Sequence, residues 1–127
     1  MDHSKEFLVL VNDVLPRVTE ISVTEALDRI SNGAVLIDVR EDNEYAAGHA
    51  SGAEHIGRGV IERDIISKHP DKQGEIILYC GGGFRSALAA DNLQKMGYKN
   101  VRSLAGGWAA WKDAGAPAKI NIQDLII

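Results

Sequence analysis

Apolar residues follow two kinds of spacing along this chain of 127 residues. Near the N-terminus they recur at helical spacing between Phe7 and Leu15, which predicts a helix that ends near Pro16. From residue 21 onward, short β-rich apolar runs alternate with segments of helical periodicity, the first of which has Thr24 as its expected N-cap. The predicted strands span residues 21–23, 34–37, 53–56, 75–79 and 101–104, and the predicted helices span 24–32, 60–68, 87–96 and 108–114.

The alternation of strands and helices predicts a small α/β sheet with right-handed crossovers. In such a sheet, the functional crevice lies at the carboxyl ends of the strands. The first 20 residues form an added helical segment outside this alternation. The last residues of the chain, Leu125, Ile126 and Ile127, are apolar and predict packing on the domain or on another subunit.

Composition excludes several classes of protein. With 45% hydrophobic and 25% charged residues, the chain resembles an ordinary globular protein. Its net charge is −4 and it has no long run of lysine and arginine, which argues against a nucleic-acid partner. The apolar runs are too short for a secretory signal or a membrane span, so we expect a cytoplasmic protein with no membrane partner. The single cysteine, Cys80, excludes an internal disulfide and a multi-cysteine zinc site, and no metal is expected.

Cys80 directly follows the strongest predicted strand, residues 75–79, and so lies at the edge where the crevice is expected. Three glycines and Arg85 follow it before the next helix. Because glycine-rich turns at helix N-termini aim backbone amides at anions, this loop predicts a stabilised thiolate and an activated nucleophile. The alternative is an inert core cysteine beside a tight turn. A dinucleotide fingerprint does not fit, because Ser86 occupies the position of its last glycine, and a Walker loop would need a Lys-Ser/Thr pair.

Three segments together resemble one protein family. The loop Cys80–Arg85 resembles the active-site loop of rhodanese-domain sulfurtransferases, C-x-x-G-x-[RT]. Segments within residues 36–56 look like the N-terminal signature of that family, and residues 104–111 look like its C-terminal signature. The resemblance runs from about residue 21 to residue 117, so we expect an N-terminal helical extension at 1–20, a rhodanese-like domain at 21–117 and a C-terminal tail at 118–127.

The resemblance implies an α/β fold with a central, mainly parallel sheet of about five strands and helices on both faces. It also implies that Cys80 takes sulfane sulfur from a donor such as thiosulfate, forms a persulfide, and transfers the sulfur to cyanide or a thiol. The implied partners are a small-molecule donor and acceptor, with a protein acceptor as an alternative, and no cofactor is implied. The expected substrate-binding loop comprises Gly81, Gly82, Gly83, Phe84, Arg85 and Ser86. Its amides are expected to stabilise thiolate and persulfide, and Arg85 to bind the donor and the departing sulfite.

The loop also bears on competing functions. Cysteine phosphatases, including relatives on this fold, use C-x5-R, whereas four residues separate Cys80 from Arg85. The shorter loop makes a tighter cradle and disfavours phosphatase activity. Gly81 is shared with members that use mercaptopyruvate, but those members lack the arginine, so the charge of Arg85 favours thiosulfate. The other alternative is a non-catalytic or regulatory binding module, which the intact Cys80 and Arg85 disfavour.

Asp38 and Arg40 lie at the end of a predicted strand, near the expected crevice. We expect supporting roles for both. Asp38 is predicted to accept hydrogen bonds from loop amides, and Arg40 to pair with a carboxylate such as Glu44. Contact of either residue with the substrate is the alternative.

Two histidines and two tryptophans are further candidates for catalytic or ligand-binding roles. His49 and His55 could form a dyad with the cysteine, but the resemblance places His49 in a turn that braces the sheet, so neither is expected to be catalytic. Trp108 and Trp111 share one face of a predicted short helix. We expect them to pack over the core rather than to stack on a ligand.

Overall fold

A parallel sheet of five strands forms the centre of the computed structural model, which describes residues 3–120. The strands are β1 (Thr19–Ile21), β2 (Val35–Asp38), β3 (Gly48–Ala50), β4 (Glu54–His55), β5 (Ile76–Tyr79), β6 (Val101–Leu104) and β7 (Ala118–Ile120). The helices are α1 (Lys5–Val14), α2 (Val23–Ser31), α3 (Asp42–Ala47), α4 (Ile61–Lys68), α5 (Phe84–Lys95) and α6 (Gly107–Asp113). The main sheet has the order β1-β6-β5-β2-β4 with parallel neighbours, whereas β3 and β7 pair antiparallel in a second sheet.

Helices cover both faces of the main sheet, as predicted. The central strand β5 is buried along its whole length, and its successive side chains point to opposite faces. Ile76 and Leu78 join a core cluster with residues of α4 and α5. Ile77 and Tyr79 join the other cluster, with residues of α2 and α6. The continuous apolar run of this strand therefore reflects burial on both faces.

The N-terminal extension is fixed to the domain. Helix α1 buries Val11 and Val14, and a 3-10 turn at Leu15–Arg17 follows it. Arg17 donates two hydrogen bonds to the Asp91 carboxylate of α5, from Nε at 3.0 Å and from Nη2 at 3.1 Å. The Arg17 hydrogen bond lowers the pKa of Asp91 below its usual value, so this pair stays ionised at neutral pH.

Two predicted helix starts are wrong. The N-cap of α2 is Ser22, whose Oγ accepts from the Glu25 amide at 3.2 Å, rather than Thr24. The preceding strand β1 accordingly ends at Ile21, two residues earlier than predicted. Helix α5 begins at Phe84, three residues before the prediction. Its first turn therefore reaches into the loop that carries Cys80.

Three short elements were not predicted from the sequence. Helix α3 has six residues, and β3 and β7 have three each, so none offers enough positions to show a periodicity. Strand β7 lies in the segment predicted to be a tail, and its register pairs Ala50 with Ala118. The apolar residues predicted to pack at the end of the tail, Leu125, Ile126 and Ile127, lie outside the described residues.

Helix α6 donates backbone hydrogen bonds to the loop that follows β5. The Trp108 amide donates to the Cys80 carbonyl oxygen at 2.7 Å, and the Ala109 amide donates to that of Gly81 at 3.2 Å. This close approach needs Gly107, which has a φ of +54°. A Cβ at Gly107 would overlap the Cys80 carbonyl oxygen.

We expect Gly107→Ala to lower the free energy of unfolding by about 2 kcal/mol or more, because it combines a left-handed φ with a backbone clash. Urea denaturation measures this loss. Gly59→Ala is the control, since a Cβ at Gly59 meets no atom within 4 Å. Equal stabilities of the two variants would contradict this account of how α6 supports the loop.

Candidate active site

The Cys80 side chain lies at the point where β5 ends and the N-terminus of α5 begins. Its Sγ accepts a hydrogen bond from the Gly83 amide at 3.0 Å, and the Ser86 hydroxyl lies 3.5 Å away. Gly83 is the N-cap of α5 and has a φ of +108°, a conformation that favours glycine. The amide at the positive end of a helix therefore points at the sulfur, an arrangement that stabilises a thiolate.

The three glycines of the loop have different roles. Only Gly83 has a positive φ, and among the residues the structure describes its amide is the one backbone donor to Sγ. A Cβ at Gly81 would lie 3.1 Å from Nη2 of Arg85, so the missing side chain leaves room for the guanidinium. Gly82 is exposed, and a Cβ there would meet nothing within 4 Å.

Behind the sulfur lies a pair of buried hydroxyl groups. The Oγ atoms of Ser86 and Ser103 lie 2.8 Å apart, and Ser86 Oγ also lies 3.2 Å from the Gly83 carbonyl oxygen. Both serines are fully buried. Ser103 belongs to β6 and was missed in the sequence. Its place beside Leu104, in the predicted strand at residues 101–104, was the signal that could have identified it.

We expect Ser103→Ala to slow alkylation of Cys80 by iodoacetamide about threefold, the effect of one neutral hydrogen bond. The Ser103 hydroxyl can donate to Ser86 Oγ, which leaves the single Ser86 hydrogen to be shared between the Gly83 carbonyl oxygen and Sγ. The exposed Ser51→Ala is the control. An unchanged alkylation rate in Ser103→Ala would show that Ser103 serves only packing.

Arg85 is engaged in a two-point ion pair with Glu44 of α3. Its Nη1 lies 2.9 Å from Oε1 and its Nη2 lies 3.2 Å from Oε2, and each side chain is 33% exposed. Glu44 Oε1 also accepts from the Glu41 amide at 2.9 Å. The Arg85 hydrogen bond lowers the pKa of Glu44, and Glu44 in turn raises the pKa of Arg85. The charge of Arg85 is therefore compensated by a carboxylate rather than left free.

Asp38 and Arg40 form a separate buried ion pair. Arg40 donates from Nη2 to Asp38 Oδ2 at 2.8 Å, and its amide donates to Asp38 Oδ1 at 2.9 Å. The predicted pairing of Arg40 with Glu44 is wrong, because the Arg40 guanidinium binds Asp38 and the Glu44 carboxylate binds Arg85. The Arg40 guanidinium also lies 5.0 Å from the Trp108 ring. Arg40 therefore contacts helix α6.

The two histidines and the second tryptophan lie away from Cys80. His49 Nδ1 lies 2.8 Å from the Tyr45 carbonyl oxygen, and His55 Nε2 lies 2.7 Å from that of Arg40. Trp111 is buried in the core, as predicted, and donates to the Pro117 carbonyl oxygen at 2.8 Å. Within residues 3–120, no group of three or more His, Cys, Asp or Glu side chains is arranged to hold a metal ion.

A cavity of about 690 Å³ opens at Cys80. It brings together part of the predicted loop and three residues that the sequence did not assign to the site. The predicted residues that line it are Cys80, Gly82, Phe84 and Arg85, and the unassigned ones are His3, Phe7 and Glu44. Asp38 and Arg40 do not line it.

Comparison with known proteins identifies the family of the chain. The model of the rhodanese-like domain matches residues 22–114. The chain belongs to the rhodanese-like domain family. It is 37% identical over 92 residues to the thiosulfate sulfurtransferase GlpE of Ectopseudomonas mendocina, and the match covers 72% of this chain and 83% of that relative. No helix within residues 3–120 has the length and apolarity needed to cross a membrane.

Two solved structures of this rhodanese-like fold are similar along most of their length. The polysulfide-sulfur transferase homodimer of Wolinella succinogenes has a TM-score of 0.78 at 25% identity, covering 90% of this chain and 87% of that one. A Rhodopseudomonas palustris protein described as a possible tyrosine phosphatase has a TM-score of 0.77 at 26% identity, covering 94% of this chain and 98% of that one. GlpE and the polysulfide-sulfur transferase support a sulfurtransferase activity in general.

Proposed function

We propose that this rhodanese-like protein transfers sulfane sulfur from a small anionic donor such as thiosulfate to a nucleophilic acceptor through a persulfide on Cys80. The observation that carries the proposal is the placement of the Cys80 sulfur. It accepts from the Gly83 amide at the N-terminus of α5 and lines a cavity that Arg85 also lines. A thiolate held there needs no neighbouring general base.

In the first step, the Cys80 thiolate attacks the outer sulfur of thiosulfate. A new bond forms between Sγ and that sulfur, the sulfur–sulfur bond of thiosulfate breaks, and sulfite leaves with the bonding electron pair. No redox partner is needed, and the total charge is unchanged. Arg85 releases Glu44 and binds the anion in its place, and its positive charge then stabilises the departing sulfite.

In the second step, an acceptor nucleophile such as cyanide attacks the outer sulfur of the Cys80 persulfide. The sulfur–sulfur bond breaks, thiocyanate leaves, and the thiolate returns to its hydrogen bond with Gly83. The same α5 N-terminus thus stabilises the nucleophile of the first step and the leaving group of the second.

Glu44 competes with the anionic donor for Arg85. We expect Glu44→Gln to lower the KM for thiosulfate about threefold, because a partly exposed ion pair no longer has to be broken. Steady-state kinetics with thiosulfate and cyanide measure the change. Asp42→Asn is the matched control, since it removes the same charge from the same helix at a fully exposed position. A KM that rises in Glu44→Gln would show that Glu44 aids the donor instead.

A phosphatase is the second candidate, raised by the structural similarity to the possible tyrosine phosphatase. The decisive experiment measures both reactions on one preparation: thiocyanate from thiosulfate and cyanide, and p-nitrophenol from p-nitrophenyl phosphate. We expect turnover in the first assay only, because four residues between Cys80 and Arg85 make a cradle tighter than the phosphatase loop. Cys80-dependent release of p-nitrophenol without thiocyanate formation would overturn the proposal.

A further inference from the structure

One wall of the catalytic cavity comes from outside the rhodanese-like domain. His3 and Phe7 line the cavity, yet they precede residue 22, where the match to the family begins. They meet Phe84, which lies in the active-site loop between Gly83 and Arg85. The N-terminal extension therefore takes part in shaping the space above Cys80.

The three rings form one aromatic cluster. The centroids of His3 and Phe84 lie 4.9 Å apart, those of His3 and Phe7 lie 5.1 Å apart, and those of Phe7 and Phe84 lie 6.3 Å apart. These separations are typical of interacting aromatic pairs. Phe7 and Phe84 remain partly exposed, so their rings present apolar surface to the cavity.

The aromatic cluster of His3, Phe7 and Phe84 is held in place by contacts at the start of α1 and just after its end. Ser4 caps the helix by accepting from the Phe7 amide at 3.1 Å. At the other end, Arg17 binds Asp91 of α5, and its carbonyl oxygen accepts from the Gln94 side chain at 2.9 Å. Because α5 also carries Phe84, the two phenylalanines are fixed to one framework. A wall of this kind can select ligands by shape.

The charge of the cavity supports an organic ligand. The Glu44 and Arg85 side chains that line it are paired with each other, and much of the remaining lining is aromatic. Cys80 is only 1% exposed, so an acceptor atom has to enter the cavity to reach the sulfur. A volume of about 690 Å³ accommodates a small molecule. These features favour a low-molecular-weight sulfur acceptor over a cysteine on the flat surface of a partner protein.

We propose that the sulfur acceptor is a small organic thiol with an aromatic or branched aliphatic group, which packs against Phe7 and Phe84. This inference rests on the proposed persulfide chemistry. The thiolate R–S⁻ attacks the outer sulfur of the Cys80 persulfide, and a bond forms to give R–S–SH. The Sγ–S bond breaks, and its electron pair stays on Cys80 as the thiolate, so the step needs no oxidant or reductant.

The test measures discharge of a preloaded Cys80 persulfide by phenylmethanethiol, 2-mercaptoethanol and cyanide, with rates normalised to the concentration of the ionised form. Loading with thiosulfate is verified by intact mass, and inorganic polysulfide replaces thiosulfate where loading fails. Failure to load with thiosulfate thus counts against the proposed donor, whereas the discharge rates test the acceptor. In the wild type we expect phenylmethanethiol to react faster than 2-mercaptoethanol.

Phe7→Ala is expected to reduce the ratio of the phenylmethanethiol rate to the 2-mercaptoethanol rate about tenfold, the effect of losing apolar contact in a binding site. Phe7→Leu, which keeps part of the apolar surface and serves if the alanine variant does not fold, is expected to show a smaller reduction. Leu10→Ala, at an exposed position of the same helix, should leave the ratio unchanged. A wild-type ratio near one, or a fall shared equally by all three acceptors, would overturn the proposal.

Discussion

Replacement of Cys80 by serine is expected to reduce the rate of thiocyanate formation from thiosulfate and cyanide by at least about 10³-fold. Serine has nearly the same size, so it can keep the hydrogen bond from Gly83, but its hydroxyl stays protonated at neutral pH. The loss therefore reports nucleophilicity rather than packing. A thermal unfolding curve close to that of the wild type serves as the control for folding.

The count of cysteines sharpens this experiment. Cys80 is the single cysteine of the chain, so no second thiol can account for residual turnover. Residual activity within about tenfold of the wild type would mean that sulfur transfer does not pass through a cysteine persulfide. The same count means that a persulfide on Cys80 cannot be resolved within the chain, and its sulfur has to leave to an external acceptor.

The second large effect is expected for Arg85→Ala, which should raise the KM for thiosulfate about tenfold to a hundredfold, the value of charge-assisted hydrogen bonds to an anion. The rate of Cys80 alkylation by neutral iodoacetamide should change much less, because the nearest donor to Sγ is the Gly83 amide. Steady-state kinetics and alkylation rates measured on one preparation separate these two quantities.

Arg63→Ala is the charge-matched control for this variant, since Arg63 is an exposed residue of α4 paired with its neighbour Asp64. Arg85→Lys should recover part of the loss, because lysine restores the charge but not the two-point geometry. If KM stays constant while the alkylation rate falls, Arg85 stabilises the thiolate and the donor is bound by other groups.

The main sheet was predictable because its signals are local. The run from Ile76 to Tyr79 is apolar at every position, as burial on both faces requires, and the position of Cys80 after it follows directly. The positive φ of Gly83 was not predictable from its place before a helix, because an N-cap residue normally adopts an extended conformation.

The side-chain partners in the site were harder to predict from the sequence. Glu44 and Arg85 are 41 residues apart, and α3, which positions Glu44, is too short to show a periodicity. Ser103 approaches the sulfur through Ser86, and Phe7 reaches the cavity only because α1 packs along α5. These contacts depend on how distant segments pack, which residue spacing alone does not specify.

The intact mass of the protein after incubation with thiosulfate tests the central claim most directly. We expect the wild type to gain the mass of one sulfur atom, to return to its original mass on addition of cyanide with release of one equivalent of thiocyanate, and Cys80→Ser to gain nothing. A wild-type protein that gains no sulfur from thiosulfate, or that keeps its added sulfur in the presence of cyanide, would contradict the account.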